Sequence, residues 1–467
     1  METIDIIVFV IYMILVLGIG FYYFKKNKDV KDYYIGGGKM SSAHIGLSVV
    51  ATDVGGGFSI GLGGLGFVMG MSGSWMLFSG LIGAWLSAVF LIPKVVKQGN
   101  LYGFLTFPEF LKHNYGVTVA MVAGVISFIG YLGFTSSQFL AGAKLAIGTF
   151  PSLDLLDALL IMGGIALVYT VFGGMKAVIY TDTFQWIILM AGLIFIGIPI
   201  SYNYLGGYNE IINVLPNKFY SLKNITWVQL VNWFVIIIPI WFVGMTLYQR
   251  IYACKNERTA KKAWFIAGLF EYPLMAFMGV ILGLFARVAA AKGMFAAEGF
   301  YDALLMDPEI GMPLLLKKVL PVGFMGLMLS AYFSAIMSTA DSCLLAASGN
   351  FVTDILGLKD LSPVTIKISQ ITTFIIGGLA ILIASSMQSV LELMLLSYSF
   401  MVSGLLIPVL GILISKKRKP KAALVSMLLG GFSTLILSVL QVSIPFGLDP
   451  IIIGILLSSF SYLSIKN

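Results

Sequence analysis

A succession of long apolar runs constrains this chain more than any other feature. Each run holds about 20 or more mostly apolar residues, the length that a helix needs to cross a bilayer. Only 11% of the 467 residues are charged, whereas soluble proteins carry about 25%. We therefore predict an all-α polytopic membrane protein with about 13 transmembrane helices. The predicted spans are 4–24, 43–71, 74–96, 117–143, 154–173, 178–203, 227–247, 263–287, 320–349, 366–386, 389–415, 422–443 and 449–465.

The positive charges lie mainly in alternate short loops between these runs. One set of loops carries Lys25, Lys97, Arg258 and Lys416 among others, and Arg250 is counted in the same set. The positive-inside rule places this set in the cytoplasm, with the N-terminus outside and the C-terminus inside. Membrane orientation thus accounts for the net charge of +8, and we expect no nucleic-acid partner and no obligatory protein partner. We expect a multi-pass protein of a bacterial-type cytoplasmic (inner) membrane. The longest predicted loop, 288–318, contains Glu298, Asp302, Asp307 and Glu309.

The second predicted span is interrupted by Asp53-Val54-Gly55-Gly56-Gly57, about ten residues from its start. This places the glycines about 15 Å into the span, near the bilayer midplane. Unwound backbone at that depth is tolerated where it lines a cavity, and its free carbonyls hold a cation. Close helix packing through small residues is the alternative. The intramembrane carboxylate of Asp53 favours a binding site, because such a charge is costly.

The ninth predicted span carries a second polar cluster. Ala335, Ser338, Thr339 and Ser342 follow i, i+3, i+4, i+7 spacing and share one helical face, and Asp341 lies at its edge. Hydroxyl and carboxylate oxygens are hard ligands of the kind that an alkali cation needs. Hydrogen bonding of the hydroxyls to their own helix is the alternative. That alternative leaves Asp341 without a partner.

Two further acids lie in predicted spans. Asp182 is near the cytoplasmic end of the sixth span, where solvation or helix capping explains it equally well. Glu271 lies about nine residues into the eighth span, a depth that implies a cavity or a paired charge. Aromatic and amide side chains near the candidate cavity, each with helix packing as the alternative, are Phe58, Phe134, Gln138 and Trp241.

Several motifs occur in order along nearly the whole chain, and together they resemble the sodium:solute symporter family. The family includes proline, choline, pantothenate and sugar symporters. The motifs are Asp32-Tyr33-Tyr34-Ile35-Gly36-Gly37-Gly38, Gly66-Phe67-Val68-Met69-Gly70, Thr106-Phe107-Pro108-Glu109-Phe110-Leu111, Tyr169-Thr170-Val171-Phe172-Gly173-Gly174-Met175-Lys176-Ala177-Val178, Thr181-Asp182-Thr183-Phe184-Gln185, Gln249-Arg250-Ile251, Met337-Ser338-Thr339-Ala340-Asp341-Ser342 and Pro408-Val409-Leu410-Gly411.

The resemblance implies a LeuT-type fold in which 43–203 and 227–415 form two inverted five-helix repeats. Residues 1–42 would hold a leading transmembrane helix and a cytoplasmic loop, 204–226 an extracellular connector, and 416–467 two C-terminal helices. It also implies that sodium is the coupling ion. The implied ligands are Ala51, Val54, Ala335, Ser338 and Thr339 for a first sodium, and Asp182, Asp341 and Ser342 for a second sodium that some members hold.

This chain also departs from the family pattern. Many members have serine, threonine or a larger polar residue where Gly55, Gly56 and Gly57 stand, and serine or threonine in place of Asp341. The glycines favour a roomier solute pocket or one that uses backbone amides. The solute therefore stays open at this point.

We predict a secondary active transporter that couples sodium to the symport of a small organic solute by alternating access. Asp53 and Glu271 slightly favour a solute with a cationic group, such as proline or a quaternary amine. Proton coupling through Asp53 or Asp182 is the alternative, and a transporter-like membrane sensor is a weaker one. The two histidines form no nucleophile or metal cluster, so we expect neither an enzyme nor a metal besides sodium. The predicted solute-binding residues are Asp53, Gly55, Gly56, Gly57, Phe58, Phe134, Gln138, Trp241 and Glu271.

Overall fold

The computed structural model describes residues 2–26, 40–53, 55–150, 152–358 and 363–465. Every regular element in these ranges is helical. The helices are α1 Thr3–Lys26, α2 Ser42–Asp53, α3 Gly55–Met69, α4 Trp75–Phe90, α5 Ile92–Tyr102, α6 Phe107–Tyr115, α7 Val117–Thr149, α8 Leu155–Gly192, α9 Ile198–Tyr204, α10 Gly207–Ile212, α11 Trp227–Val243, α12 Met245–Ala253, α13 Glu257–Leu269, α14 Ala276–Ala291, α15 Pro308–Val319, α16 Phe324–Gly349, α17 Pro363–Ser385, α18 Val390–Ile414, α19 Pro420–Val439 and α20 Ile451–Ser464.

Eight helical stretches of the described residues are long and apolar enough to cross a membrane. The pair α11 and α12 passes the same test together and is bent by 43° at its junction, which makes a ninth. The outer helices leave apolar side chains uncovered: Ile371, Phe374, Ile375 and Leu382 of α17 are each more than half exposed. Their spacing places them on one face, and such a face requires lipid as its solvent.

Helix α16 lies at the centre of the bundle. Of the most apolar 18-residue stretch in Phe324–Ile355, 94% is buried inside the protein. Helix α16 packs against α3, α7, α8 and α17. Small and hydroxyl side chains such as Ser330, Ser334 and Ala335 let these neighbours approach closely. A helix with this many buried polar groups is stable in the membrane only where neighbouring helices supply their partners.

Two predicted boundaries differ from the structure. A single helix, α8, covers nearly all of the predicted span 154–173 and the first half of the predicted span 178–203. It continues without a break through Gly173 and Gly174. Glycine lowers helix propensity by about 1 kcal/mol but does not remove a backbone donor or acceptor, so the helical hydrogen bonds can continue. The predicted loop 288–318 also contains most of α15, whose first turn is capped by Asp307. Sequence composition did not indicate this helix, because the acidic residues of this segment are typical of a loop.

Candidate functional site

The interruption predicted in the second span lies between α2 and α3, directly against α16. Gly55 has φ of +28°, in the region that L side chains rarely adopt. A Cβ atom at Gly55 would also collide with the hydroxyl of Thr339. Glycine is therefore required here both by backbone conformation and by space. Val54 lies outside the described residues.

Oxygen atoms from both sides of this interface converge. The hydroxyl of Thr339 donates to the carbonyl of Ala51 at 3.0 Å and to the carbonyl of Ala335 at 3.2 Å. Thus three of the residues predicted to hold the first sodium lie together, joining the broken helix to α16. Carbonyl and hydroxyl oxygens of this kind are suitable ligands for an alkali cation. Ser338, the residue directly before Thr339 on α16, instead donates to Asp182.

Asp182 is buried and forms an ion pair with Arg250. The guanidinium Nη2 is 3.6 Å from Asp182 Oδ2, and both side chains are 0% exposed. Ser48 Oγ donates to the same carboxylate oxygen at 2.6 Å and accepts from Arg250 Nε at 3.1 Å. Arg250 also donates to Thr52 and, at 3.0 Å, to Ser342. One guanidinium thereby joins α2, α8, α12 and α16.

The position of Arg250 corrects the prediction that it is a loop cation. The charge count placed it with the cytoplasmic lysines and arginines, whereas α12 carries it into the bundle with no exposed surface. The available signal was local: Leu247 and Tyr248 before it and Ile251 after it are apolar or aromatic, which is unusual for a loop. A buried arginine requires an acidic partner, and hydropathy alone does not identify Asp182 as that partner.

The residues predicted to hold a second sodium are divided between two environments. Ser342 accepts from Arg250 and lies 3.4 Å from the hydroxyl of Thr52. Asp341 instead accepts from Thr170 on α8. The other carboxylate oxygen of Asp341, Oδ2, is buried without a hydrogen-bond partner among the described residues. Each carboxylate therefore has its own partners, and Asp182 already has a counter-charge.

Gln138 is the predicted solute-binding residue that the structure joins most directly to the broken helix. Its Oε1 accepts from the backbone N–H of Gly57 at 3.1 Å, and a Cβ at Gly57 would collide with the Gln138 amide. Phe134, one turn earlier on α7, packs its ring against Tyr398 with a centroid distance of 5.0 Å. These contacts place an amide beside the start of α3 and an aromatic pair one turn earlier along α7. The side chains of Asp53 and Phe58, and Gly56 beyond its backbone, lie outside the described part of the structure.

Trp241 and Glu271 lie in a different part of the helix bundle from Gln138. The ring of Trp241 lies 6.3 Å from that of Trp264 and fills the space above Gly83. Glu271 is buried, with its carboxylate against Gly80. Both glycines belong to α4. Both predicted solute-binding residues thus pack against α4, whereas Gln138 contacts α3.

A cavity of about 880 Å³ adjoins α3, α7, α11, α15 and α18. Lys144 at its wall is buried and lies 2.6 Å from Glu309 Oε2 and 2.7 Å from Asp307 Oδ2. Glu309 also accepts from the backbone N–H groups of Val390 at 3.0 Å and Leu391 at 3.1 Å, so it caps α18. The sequence did not predict this cluster, because Asp307 and Glu309 lie in the predicted loop 288–318.

Comparison with known proteins places the chain in one family. The pattern of the sodium:solute symporter family matches residues 33–430. The chain is 28% identical to the high-affinity proline transporter PutP of Bacillus subtilis over 72% of this chain and 70% of that protein. It is 26% identical to the osmoregulated proline transporter OpuE of B. subtilis over 96% and 91% of the two chains. It also matches longer proteins, and spans 58% of the length of the sheep sodium/glucose cotransporter 1.

The fold is likewise similar to a solved transporter. A substrate-bound outward-open structure of a Na⁺-coupled sialic acid symporter matches with a TM-score of 0.78 and 21% identity, over 98% of this chain and 97% of that one. The chain belongs to the sodium:solute symporter family. This confirms the predicted family, the LeuT-type helical architecture and sodium as the coupling ion. The family consists of transporters, so the chain is a multi-pass membrane transporter and not an enzyme.

Proposed function

We propose that this protein is a sodium-coupled symporter of a small organic solute, with proline or another amino acid favoured over a quaternary amine. The contact of Thr339 with the carbonyl of Ala51 carries the proposal, because it joins the broken helix to α16 through oxygen atoms alone. Transport of proline by relatives of similar length supports the substrate class. The proposed first sodium site is Ala51, Val54, Ala335, Ser338 and Thr339.

The proposed mechanism is alternating access. Sodium supplies a positive charge that the oxygens of α2 and α16 share, and this favours the arrangement in which the two helices are close. When the helices separate, Ala51 and Thr339 no longer face one another, and the ligand set is lost. A membrane potential of about 100 mV contributes about 2.3 kcal/mol per translocated charge. That energy is available to concentrate the solute.

The second set of ligands, Asp182, Asp341 and Ser342, has a different electrostatic position. Arg250 neutralises the charge of Asp182 and donates a hydrogen bond to the hydroxyl of Ser342. A second cation at Asp182 would therefore need Arg250 to withdraw, since two cations at one buried carboxylate repel each other. We propose that one sodium accompanies each solute while this ion pair is intact. The ratio of sodium to solute flux tests this proposal, and a ratio of two contradicts it.

The proposed solute pocket is formed around the start of α3. It combines Gly55, Gly56 and Gly57 with Gln138 and Phe134, and we include Asp53, Phe58, Trp241 and Glu271 as its outlying members. The side chain of Gln138 accepts a hydrogen bond from the backbone N–H of Gly57. A carboxylate group of the solute can replace Gln138 as the acceptor of this hydrogen bond. That chemistry favours an amino acid over a solute that has only a cationic group.

The membrane arrangement is also a proposal. We propose about 13 spans, two inverted repeats at 43–203 and 227–415, an outer N-terminus and an inner C-terminus, in a bacterial-type inner membrane. Single cysteines at Lys223 and Lys416, both exposed, test the orientation in whole cells with a membrane-impermeant maleimide. Labelling of Lys223→Cys alone is expected, and labelling of Lys416→Cys alone reverses the topology. Native Cys254 interferes little, because burial raises the pKa of its thiol to about 12.

Uptake by purified protein in proteoliposomes tests the function itself. Labelled proline, choline, pantothenate, a sugar, a monocarboxylate and sialic acid would each be offered with and without an inward sodium gradient. We expect proline to accumulate only with sodium, and Ser338→Ala/Thr339→Ala to abolish that accumulation. The matched control is Ser385→Ala/Ser386→Ala, which removes two exposed hydroxyls bonded only to their own helix.

The same experiment separates the alternatives. Accumulation that follows a pH gradient and ignores both sodium and the Ser338/Thr339 variant supports proton coupling. A panel in which no solute accumulates, although sodium still raises the thermal stability of the protein, favours a sensor. Accumulation of a sugar or sialic acid instead of proline leaves symport intact and overturns the substrate class.

A further inference from the structure

The outward face of α13 has an ordered arrangement of charge and apolar surface. Arg258, Lys262, Phe265 and Leu269 are exposed, and their spacing of four, three and four residues places them in one row along the helix. The basic pair is at the beginning of α13 and the apolar pair at its end. Phe265 is 38% and Leu269 53% exposed.

The basic half of this row has no acidic partner among the residues that the structure describes. Glu257 pairs with Lys261 at 2.7 Å, and neither Arg258 nor Lys262 forms an ion pair with any described residue. Three basic residues and one acidic residue leave a net charge of +2 on this face. They line a shallow groove of about 580 Å³, whose other walls are Phe265, Ile266 and Leu269.

The apolar half of the row lies on a membrane-spanning segment. Helix α13 begins the 35-residue span Glu257–Ala291, and the rise from Arg258 to Leu269 is about 16 Å. This is about half the thickness of the hydrocarbon core. Trp85, whose ring lies 5.8 Å from that of Phe265, is 39% exposed beside the groove, and aromatic side chains are enriched at membrane interfaces. Arg258 and Lys262 therefore lie at headgroup level.

We propose that this face binds an anionic phospholipid, with its phosphate between Arg258 and Lys262 and an acyl chain along Phe265 and Leu269. A guanidinium holds phosphate oxygens in a paired geometry, and an ammonium adds a second positive charge. Basic pockets at the ends of transmembrane helices bind anionic headgroups for this reason. The row matches a lipid molecule in both length and order of polarity. The site is separate from the sodium and solute residues and does not depend on the proposed substrate.

Native mass spectrometry of the purified full chain in detergent tests this site, with phosphatidylglycerol and phosphatidylcholine as probes. We expect phosphatidylglycerol to be retained preferentially, and to be bound roughly thirtyfold more weakly by Arg258→Gln/Lys262→Gln, since each surface cation contributes about a fivefold factor. The matched control is Lys416→Gln/Lys417→Gln, which removes two exposed cations elsewhere. It is expected to bind phosphatidylglycerol as the wild type does.

Three outcomes overturn the proposal. Equal retention of both lipids shows that the headgroup charge is not recognised. An equal loss in the two double variants shows a general attraction by net charge. Protection by inorganic phosphate to the same degree as by phosphatidylglycerol, measured as thermal stability, shows an anion site without a role for the acyl chain. The variant Leu269→Ser distinguishes a lipid site from a simple anion site, because it is expected to weaken lipid binding while leaving phosphate binding unchanged.

Discussion

Arg250 and Asp182 form a fully buried ion pair, with 3.6 Å between Nη2 and Oδ2. The pair lies between the broken helix and α16, and its hydrogen-bonded neighbours include Ser48 and Ser338. Ser338 belongs to the proposed first sodium site, so the ion pair and that site share a residue. The position of Arg250, a permanent cation, therefore influences the proposed binding site of the transported sodium ion.

Removing one member of this pair should be more harmful than removing both. Arg250→Met leaves the carboxylate of Asp182 uncompensated, and we expect a loss of about 3–5 kcal/mol in unfolding free energy. Arg250→Met/Asp182→Asn removes both charges and should recover a large part of that loss. Denaturation of the purified protein, followed by tryptophan fluorescence, measures the coupling. Additive losses in the two single variants and the double variant contradict it.

Gly55→Ala should abolish sodium-dependent uptake. Its φ of +28° disfavours any side chain, and the added methyl group would displace the hydroxyl of Thr339 from the carbonyl of Ala51. The matched control is Gly378→Ala, where a methyl group meets nothing within 4 Å. We expect at least a tenfold fall in uptake for Gly55→Ala and near wild-type uptake for the control. Similar activity of both variants would show that the break does not require glycine.

Gln138→Leu should act on solute binding more than on sodium binding. The substitution leaves the buried N–H of Gly57 without its 3.1 Å acceptor, at a cost of about 1–3 kcal/mol. In this variant the solute carboxylate is the acceptor available to that N–H, so the KM for solute should fall, by about tenfold for a cost of about 1.4 kcal/mol. The sodium concentration for half-maximal uptake should stay within about twofold, a change worth under about 0.5 kcal/mol. A larger change in the sodium requirement than in the solute KM would move Gln138 to the sodium site.

Substitutions in the cluster of Lys144, Asp307 and Glu309 beside the cavity should differ in how much stability they remove. Glu309→Leu leaves Lys144 with Asp307 alone and removes the acceptor of the Val390 and Leu391 N–H groups at the start of α18, so we expect a destabilisation of about 3–5 kcal/mol. After Lys144→Met, Glu309 keeps its bonds to Ser389, Val390 and Leu391, and the expected loss is about 1–3 kcal/mol. Thermal unfolding of both variants in one detergent shows which of them is less stable. The reverse order would mean that the lysine is the main stabilising group.

The class of protein, the break in the second predicted span and the polar face of α16 followed from local sequence. Long apolar runs require a bilayer, and the glycines after Asp53 predicted a break where α2 ends and α3 begins. Helical spacing on α16 predicted that Ala335 and Thr339 share a face, and the structure places them with Ala51. These predictions succeeded because each depends on a single segment and its periodicity.

Other features depend on which segments meet. The charge of Arg250 suggested a loop, and only the packing of α12 against α2, α8 and α16 shows that Asp182 and the hydroxyls solvate it. Glu309 was likewise assigned to a loop, although α15 brings it to Lys144 and the start of α18. Sequence by itself determined the membrane class, the broken helix and the polar face of α16. The tertiary structure decided which buried charges are paired, because a charge is stable in the membrane only where a distant part of the chain supplies its partner.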